Sequence, residues 1–392
     1  MADVWFTIHR SNLHQAFARV MGAIEVRNTI PILSHVLLEP TGDSILLRGS
    51  NLDLQIDAEC EAISIVEPIP FTIPAARFKD ILATLPESAE ISFGPGRSKD
   101  SITISTGHSR LSVPFLPAHD FPVIPTKAAL SWTPISGKPL ADAIEKASFA
   151  LNKNDDRVYL TGYCLHGEKG GDGLVVATTD GLSLAKVTAA TGGCPAFPAV
   201  GVTFPHIIVP PRAADSIRKL LEGAVQGASI AATDAILAVR FDGVTITSKL
   251  IDGKYPEYDR VIPAPAGATI GVKLDALSSS IRRVCVMIDD ASRDALFIRT
   301  LDGLVNVDLV GRDGGAAHDA FSGEIDAPED LEISLNGEQL KKMLASIDSS
   351  DIVIHTTADG ARIIVRPVGI PGETYLLSTM KPRFSAAAEQ AA

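Results

Sequence analysis

The residues able to do chemistry are few and poorly grouped. Two acidic doublets, Asp155-Asp156 and Asp289-Asp290, have the composition of a metal site or of a carboxylate pair sharing acid and base roles. The expectation for both is solvated loop carboxylates. The nine histidines show no ligand spacing, and His108 and His166 fall in hairpin or strand contexts where a surface role is expected. Cys60, Cys164, Cys194 and Cys285 are scattered, with no C-x-x-C pair, so neither a zinc knuckle nor a disulfide framework is expected. Gly94-Pro95-Gly96 and Gly170-Gly171-Asp172-Gly173 read as hairpin turns, because neither joins a strand to a helix as a phosphate cradle must. No P-loop, nucleophile elbow or H-E-x-x-H pattern occurs. The chain is therefore expected to be non-catalytic, with no metal and no cofactor. An enzyme whose site escapes these patterns is the reading against it.

The elements that would carry any site repeat themselves. Apolar residues at helical spacing begin at Leu13, Ala16, Phe17 and Val20, at Leu140, Ile144, Ala147 and Leu151, and at Leu277, Ile281, Val284 and Ile288. These starts lie roughly 130 residues apart, and each follows a strand-like segment. A second helix appears in the back half of each unit, through Phe78, Ile81 and Leu82, through Ala214, Ile217 and Leu221, and through Leu340, Met343 and Leu344. Period-2 strands follow each one, as in Ser101-Ile102-Thr103-Ile104-Ser105 and Ile236-Leu237-Ala238-Val239-Arg240-Phe241. Proline-rich segments at Phe121–Pro125 and Tyr255–Pro263 close the first two units. The fold class expected is α+β, with three similar domains at 1–127, 128–265 and 266–381 and an extension at 382–392. Each domain should pack two helices on antiparallel sheets.

Charge divides along the same lines. The net charge of −12 argues against nucleic acid if spread evenly. The six helical stretches, however, carry a net +7, which leaves −19 on the remainder. A helix-lined surface would attract phosphates while the acidic remainder repels them. Solvated helix faces also favour Lys and Arg, so the split alone does not decide. No apolar run is long enough for a membrane helix, and no secretory leader is recognisable, so a cytoplasmic protein is expected.

Several segments resemble one family. Asn28-Thr29-Ile30-Pro31-Ile32-Leu33, Gly49-Ser50-Asn51-Leu52-Asp53-Leu54, Thr179-Asp180-Gly181, Ser248-Lys249-Leu250-Ile251-Asp252-Gly253-Lys254-Tyr255-Pro256 and Asp259-Arg260-Val261-Ile262-Pro263 are similar, in order, to segments of the bacterial DNA sliding clamps, the beta processivity subunits of the replicative polymerase. The resemblance implies a ring-shaped head-to-tail homodimer with helices lining the hole. It implies sequence-independent contact with double-stranded DNA, carried over to Arg27, Arg77, Arg212, Arg218, Arg282 and Lys342. It implies a pocket for short hydrophobic peptides of the polymerase, clamp loader and repair proteins, carried over to Leu160, Thr179, Gly181, Leu184, Pro256, Arg260, Val261, Leu376, Leu377 and Met380. Ring closure is expected where an edge strand with Arg110, Leu111 and Val113 faces Val286 and Met287.

The chain also departs from the pattern. Leu182-Ser183 stands where the family usually has His-Arg, Gln339 replaces an aromatic while Asn336 is retained, and Ser378-Thr379-Met380-Lys381 replaces the usual ending. These changes fall on the expected pocket. They leave open a divergent accessory clamp or recruitment scaffold with altered partner specificity. The tail from Ser385 to Ala392 reads as a frayed helix or a disordered end.

Overall fold

Apolar residues one turn apart give six helices in the computed structural model: α1 Arg10–Val20, α2 Ala75–Thr84, α3 Gly137–Ala147, α4 Pro211–Glu222, α5 Leu274–Val284 and α6 Gly337–Ala345. The structure describes residues 4–25, 27–125, 130–197, 205–225, 227–262, 267–287, 295–310, 315–328 and 331–380. The doublet Asp289-Asp290 and the extension 382–392 lie outside them. In α1 the buried residues are Leu13, Ala16, Phe17 and Val20, one stripe with polar residues opposite. In α5 they are Leu274, Leu277, Ser280, Ile281 and Val284, and Arg282 and Arg283 stand in the last turn, where the helix dipole favours cations. Only α6 has a side-chain N-cap bond, from Gln339 N to Asn336 Oδ1 at 2.9 Å, among the helices whose caps are described.

The chain divides into two compact units, and the division passes through α3. The first comprises residues 1–141, 192–198 and 212–250. It holds a five-stranded antiparallel sheet, in the order Ser64–Ile65, Phe6–His9, Glu90–Pro95, Ser101–Thr106, Ser109–Pro114. Its eight-stranded sheet runs Thr133–Ile135, Ala228–Ala232, Ile236–Phe241, Val244–Lys249, Leu54–Glu61, Ser44–Ser50, His35–Thr41, Phe71–Pro74. Aromatic rings tie the two sheets and the helices together. Phe6 stacks on Phe93 with centroids 4.8 Å apart, Phe93 lies 5.6 Å from Phe71, and Phe17 meets Phe78 edge-on at 5.0 Å.

The second unit comprises residues 142–191, 199–211 and 251–392. Its nine-stranded sheet runs His206–Val209, Tyr163–Gly167, Leu174–Thr179, Ser183–Ala189, Glu373–Ser378, Arg362–Pro367, Asp351–Thr356, Thr269–Lys273, Glu324–Asp326. A four-stranded sheet follows the order Ala316–Ser322, Leu304–Val310, Ala295–Leu301, Glu332–Asn336.

Each large sheet contains one seam where a three-strand run meets the last strand of another run, and the two seams follow one rule. In the first unit Leu54–Glu61, the third strand of a three-strand run, pairs with Val244–Lys249, the last strand of another run. In the second, Ser183–Ala189 and Glu373–Ser378 stand in the same relation. The seam pairs Ile56 with Ile246 in one case and Ala185 with Tyr375 in the other, all four fully or almost fully buried. By that rule, one third strand (Ala316–Ser322) and one last strand (Ser109–Pro114) have no seam partner, and both lie at sheet edges.

Two sequence expectations change here. Val113 is 1% exposed and paired with Ile102, so its own chain already covers it, whereas Leu111, on the same face two residues before, is left 37% exposed. His166 is buried, not at the surface, because its strand lies inside the nine-stranded sheet.

A buried histidine in the first unit makes stability pH-dependent. The Thr72 hydroxyl donates to Leu116 O at 2.9 Å and accepts from Leu116 N, so His35 Nδ1, 2.9 Å away, is the donor in that contact. Burial lowers the His35 pKa to about 4. The unfolded chain therefore takes up the proton first. Stability is full above pH ~6.5 and falls as pH drops toward 4, by up to about 3 kcal/mol at ~1.4 kcal/mol per unit. Both tryptophans, Trp5 and Trp132, lie in this unit and report its unfolding. Urea titrations by tryptophan fluorescence at pH 7 and 4.5 are expected to show the loss in wild type and a flatter dependence in His35→Leu. An unchanged slope in the variant rejects this origin.

Candidate docking pocket and basic faces

The expected pocket residues all fall in the second unit, and their burial sorts them into two layers. Leu160, Leu184, Leu376 and Leu377 are at most 4% exposed. Leu160, Leu184 and Leu376 belong to one apolar cluster with Cys164, Ala177, Ile208, Tyr255, Tyr258 and Ile364. In the candidate pocket these leucines would be the floor. Gly181, Pro256, Arg260 and Val261 are exposed, Met380 is half-buried and Thr179 is buried.

Hydrogen bonds fix the turn that carries Gly181. Leu182 N and Ser183 N both donate to Asp180 Oδ1, at 2.8 and 2.6 Å. Gly181 N donates to Thr179 Oγ1 at 3.1 Å, and that hydroxyl donates to Ser183 O at 2.6 Å. Gly181 has φ +91°, a conformation that glycine adopts without a Cβ penalty. Arg157 braces the outside, with Nη2 3.1 Å from Asp180 O. Its guanidinium also grips the Asp155 carboxylate at 2.8 and 2.9 Å, which lowers the Asp155 pKa to about 2. The acidic doublet read as solvated loop carboxylates thus has one member engaged. Asp155 sits two residues before Arg157, a spacing that lets the guanidinium reach back to the carboxylate.

Beneath the floor, burial pushes the Tyr258 hydroxyl up and the His166 imidazole down. Both stay neutral, and they share a 2.5 Å hydrogen bond. His166 Nδ1 lies 2.7 Å from Gly167 O, so that nitrogen donates and Nε2 accepts from Tyr258. Lys186 lies over the Tyr258 ring and pairs with Asp259 at 2.7 Å. Arg260 pairs with Glu257. At the far end Met380 N donates to Ser334 O at 2.8 Å, and Ser334 Oγ donates to Met380 O.

The six expected DNA-facing cations divide by partner. Arg27, Arg77, Arg282 and Lys342 are exposed and, among the described residues, form no ion pair. Arg212 is held by Glu25 at 2.6 Å, and Arg218 is held by Asp215 and Glu222 at 3.1 and 2.8 Å. Those two cations are largely neutralised by their own chain. An additional basic groove of about 540 Å³ in the first unit is lined by Arg10, Ser11, His14, Gln15, Ala18 and Arg19, with Glu87 and Leu220 at its border.

For the expected closing edge, Arg110 is exposed and Leu111 is 37% exposed on the Ser109–Pro114 strand. Val286 is 79% exposed in the short 3₁₀ turn Cys285–Met287, and the side chain of Met287 lies outside the described residues. Among the described residues no cluster of acidic, histidine and cysteine side chains could hold a metal, and no helix is long and apolar enough to cross a membrane.

Comparison with known proteins places these features in a family. Residues 4–125 match the DNA polymerase III beta subunit, N-terminal domain, and residues 134–257 match its central domain. The chain is 31% identical over 381 residues to the beta sliding clamp of Caulobacter vibrioides, covering 96% of this chain and 99% of that one. It is 26% identical over 376 residues to the beta sliding clamp of Pseudomonas putida, covering 96% and 99%. The crystal structure of the Caulobacter crescentus sliding clamp superposes with a TM-score of 0.85 at 29% identity, over 96% of this chain and 99% of that one. A Bartonella birtlesii sliding clamp bound to griselimycin superposes at 0.86 with 27% identity, over 97% and 100%.

Proposed function

Because this chain belongs to the DNA polymerase III beta-subunit family and is a processivity clamp of replication, we propose that it acts as a ring closed by its two unpaired edge strands. The seam rule carries this reading. The Ser109–Pro114 strand of one copy pairs with Ala316–Ser322 of a second, twice per homodimer, as Val244–Lys249 pairs with Leu54–Glu61 inside the chain. Carrying the register over sets Leu111 opposite Ala317 and Arg110 opposite His318. Val286 flanks the joint. The clamp is a non-catalytic tether working in the cytoplasm.

DNA passes through the ring by sequence-independent contact. Exposed cations without ion pairs (Arg27, Arg77, Arg282 and Lys342) supply most of it, and Arg212 and Arg218 supply less because carboxylates already hold them. Replicative polymerase, clamp loader and repair proteins dock short apolar peptides over the Leu160, Leu184 and Leu376 floor. Nothing favours a specialised scaffold over the replicative clamp. In the experiment that tests this, the protein is loaded onto nicked circular DNA and is expected to stay bound until the circle is linearised. Loss from both forms alike overturns the ring. On short linear duplex, Arg77→Ala and Lys342→Ala are each expected to lower the slope of log K against log salt by about one, and Arg218→Ala by less.

A further inference from the structure

One side chain on the pocket rim has no role in holding the fold. Leu182 is 69% exposed, and Val158 is 62% exposed. A lone exposed leucine is ordinary, but this one is displayed on an immobilised turn. Its N–H is held by Asp180, its neighbours by Thr179, and its carbonyl accepts from Ser378 N at 2.8 Å at the end of the Glu373–Ser378 strand. Arg157, bonded to Asp180 O, ties the residue before Val158 to the same turn. A side chain displayed on a fixed backbone costs less entropy to cover than one on a loose loop.

We propose that Leu182, supported by Val158, is a specificity-determining rim that selects peptides with an aliphatic or aromatic side chain flanking the anchor and rejects an acidic one there. The proposal rests on the pocket reading above and names the partner chemistry for that site. The apolar flank gains contact with Leu182. An acidic flank would lose that contact and set its carboxylate against an apolar side chain.

The test uses fluorescence anisotropy with the full-length clamp and labelled decapeptides built on a Leu-Leu-Phe anchor, each flanking position made leucine or aspartate in turn. At one flank the leucine peptide is expected to bind about tenfold tighter than its aspartate twin, which matches burial of roughly 55 Å² of apolar surface. Leu182→Ser should bring that ratio close to one, and Leu182→Met should keep it. Equal binding of every twin pair to wild type, or a ratio unchanged in Leu182→Ser, overturns the rim while leaving the pocket standing. Failure of all the peptides to bind wild type overturns the pocket and the rim together.

Discussion

Lys146→Met is expected to destabilise the second unit by about 3–5 kcal/mol, the usual cost of stripping one partner from a buried ion pair. Lys146 Nζ lies 2.6 Å from Glu373 Oε1, with side chains only 19% and 5% exposed. The other carboxylate oxygen accepts from Tyr375 OH at 2.7 Å, and that ring is fully buried. Burial and then the adjacent carboxylate push the Tyr375 hydroxyl far above its usual range, so it remains a donor. Methionine keeps the length and the apolar stem of lysine but leaves a buried carboxylate with one neutral donor. Glu373 opens the Glu373–Ser378 strand and pairs with Val187 across the seam, so the stranded charge sits where the long-range pairing starts.

The double variant Lys146→Met/Glu373→Gln separates this account from simple loss of packing. Glutamine retains an acceptor for Tyr375 and carries no charge. Most of the lost stability is expected back in the double variant, giving a large coupling in a double-mutant cycle. Urea unfolding followed by far-UV circular dichroism reads all four proteins. A Lys146→Met cost below ~1 kcal/mol places the pair among solvated salt bridges and sinks the argument.

Local pattern was enough for the helices and poor for the seams. The Leu13, Ala16, Phe17, Val20 stripe and its five counterparts put the helices within a few residues of their observed bounds, because one buried face per helix leaves a 3.6-residue period. A strand with a wetter face was equally plain: in Ser101–Thr106, Ile102 and Ile104 are buried while Thr103 and Ser105 are half-exposed, as the alternation predicts. The Leu174–Thr179 strand is buried at every position, so it shows no alternation to read. The seams were invisible, since Ile56 and Ile246 stand 190 residues apart and nothing local links them. The compact units consequently run through the 128–265 repeat, with its strands shared between the two large sheets. Site residues followed the same division. The pocket leucines could be named from resemblance, but only the structure shows how deeply they are buried, and only the bonds around Asp180 show that the turn carrying Leu182 is held in place.

Leu111→Asp is expected to convert the clamp from dimer to monomer at micromolar concentration. In both intrachain seams the position equivalent to Leu111 is buried: Ile246 is 1% exposed and Tyr375 fully covered. Leu111 is 37% exposed because its seam partner belongs to another molecule in the proposed ring. An aspartate there is solvated in the monomer and stranded against Ala317 in the ring, at a cost of about 3 kcal/mol per seam. Two-fold symmetry places the change in both seams. About 6 kcal/mol is then lost from one association step, roughly four orders of magnitude in Kd. Val225, 91% exposed in the same unit and away from the edge strand, is the control: Val225→Asp is expected to leave the dimer intact. Light scattering after size exclusion distinguishes the outcomes, and unchanged dimer in Leu111→Asp removes the Ser109–Pro114 edge from the closing joint. The fold itself should survive, since the aspartate faces solvent in the single chain and Val113, two residues on, still fills the core. The same reasoning fixes the order of effects along the strand. Arg110→Ala, lost from a position opposite His318 where solvent reaches both, is expected to weaken the dimer far less than Leu111→Asp.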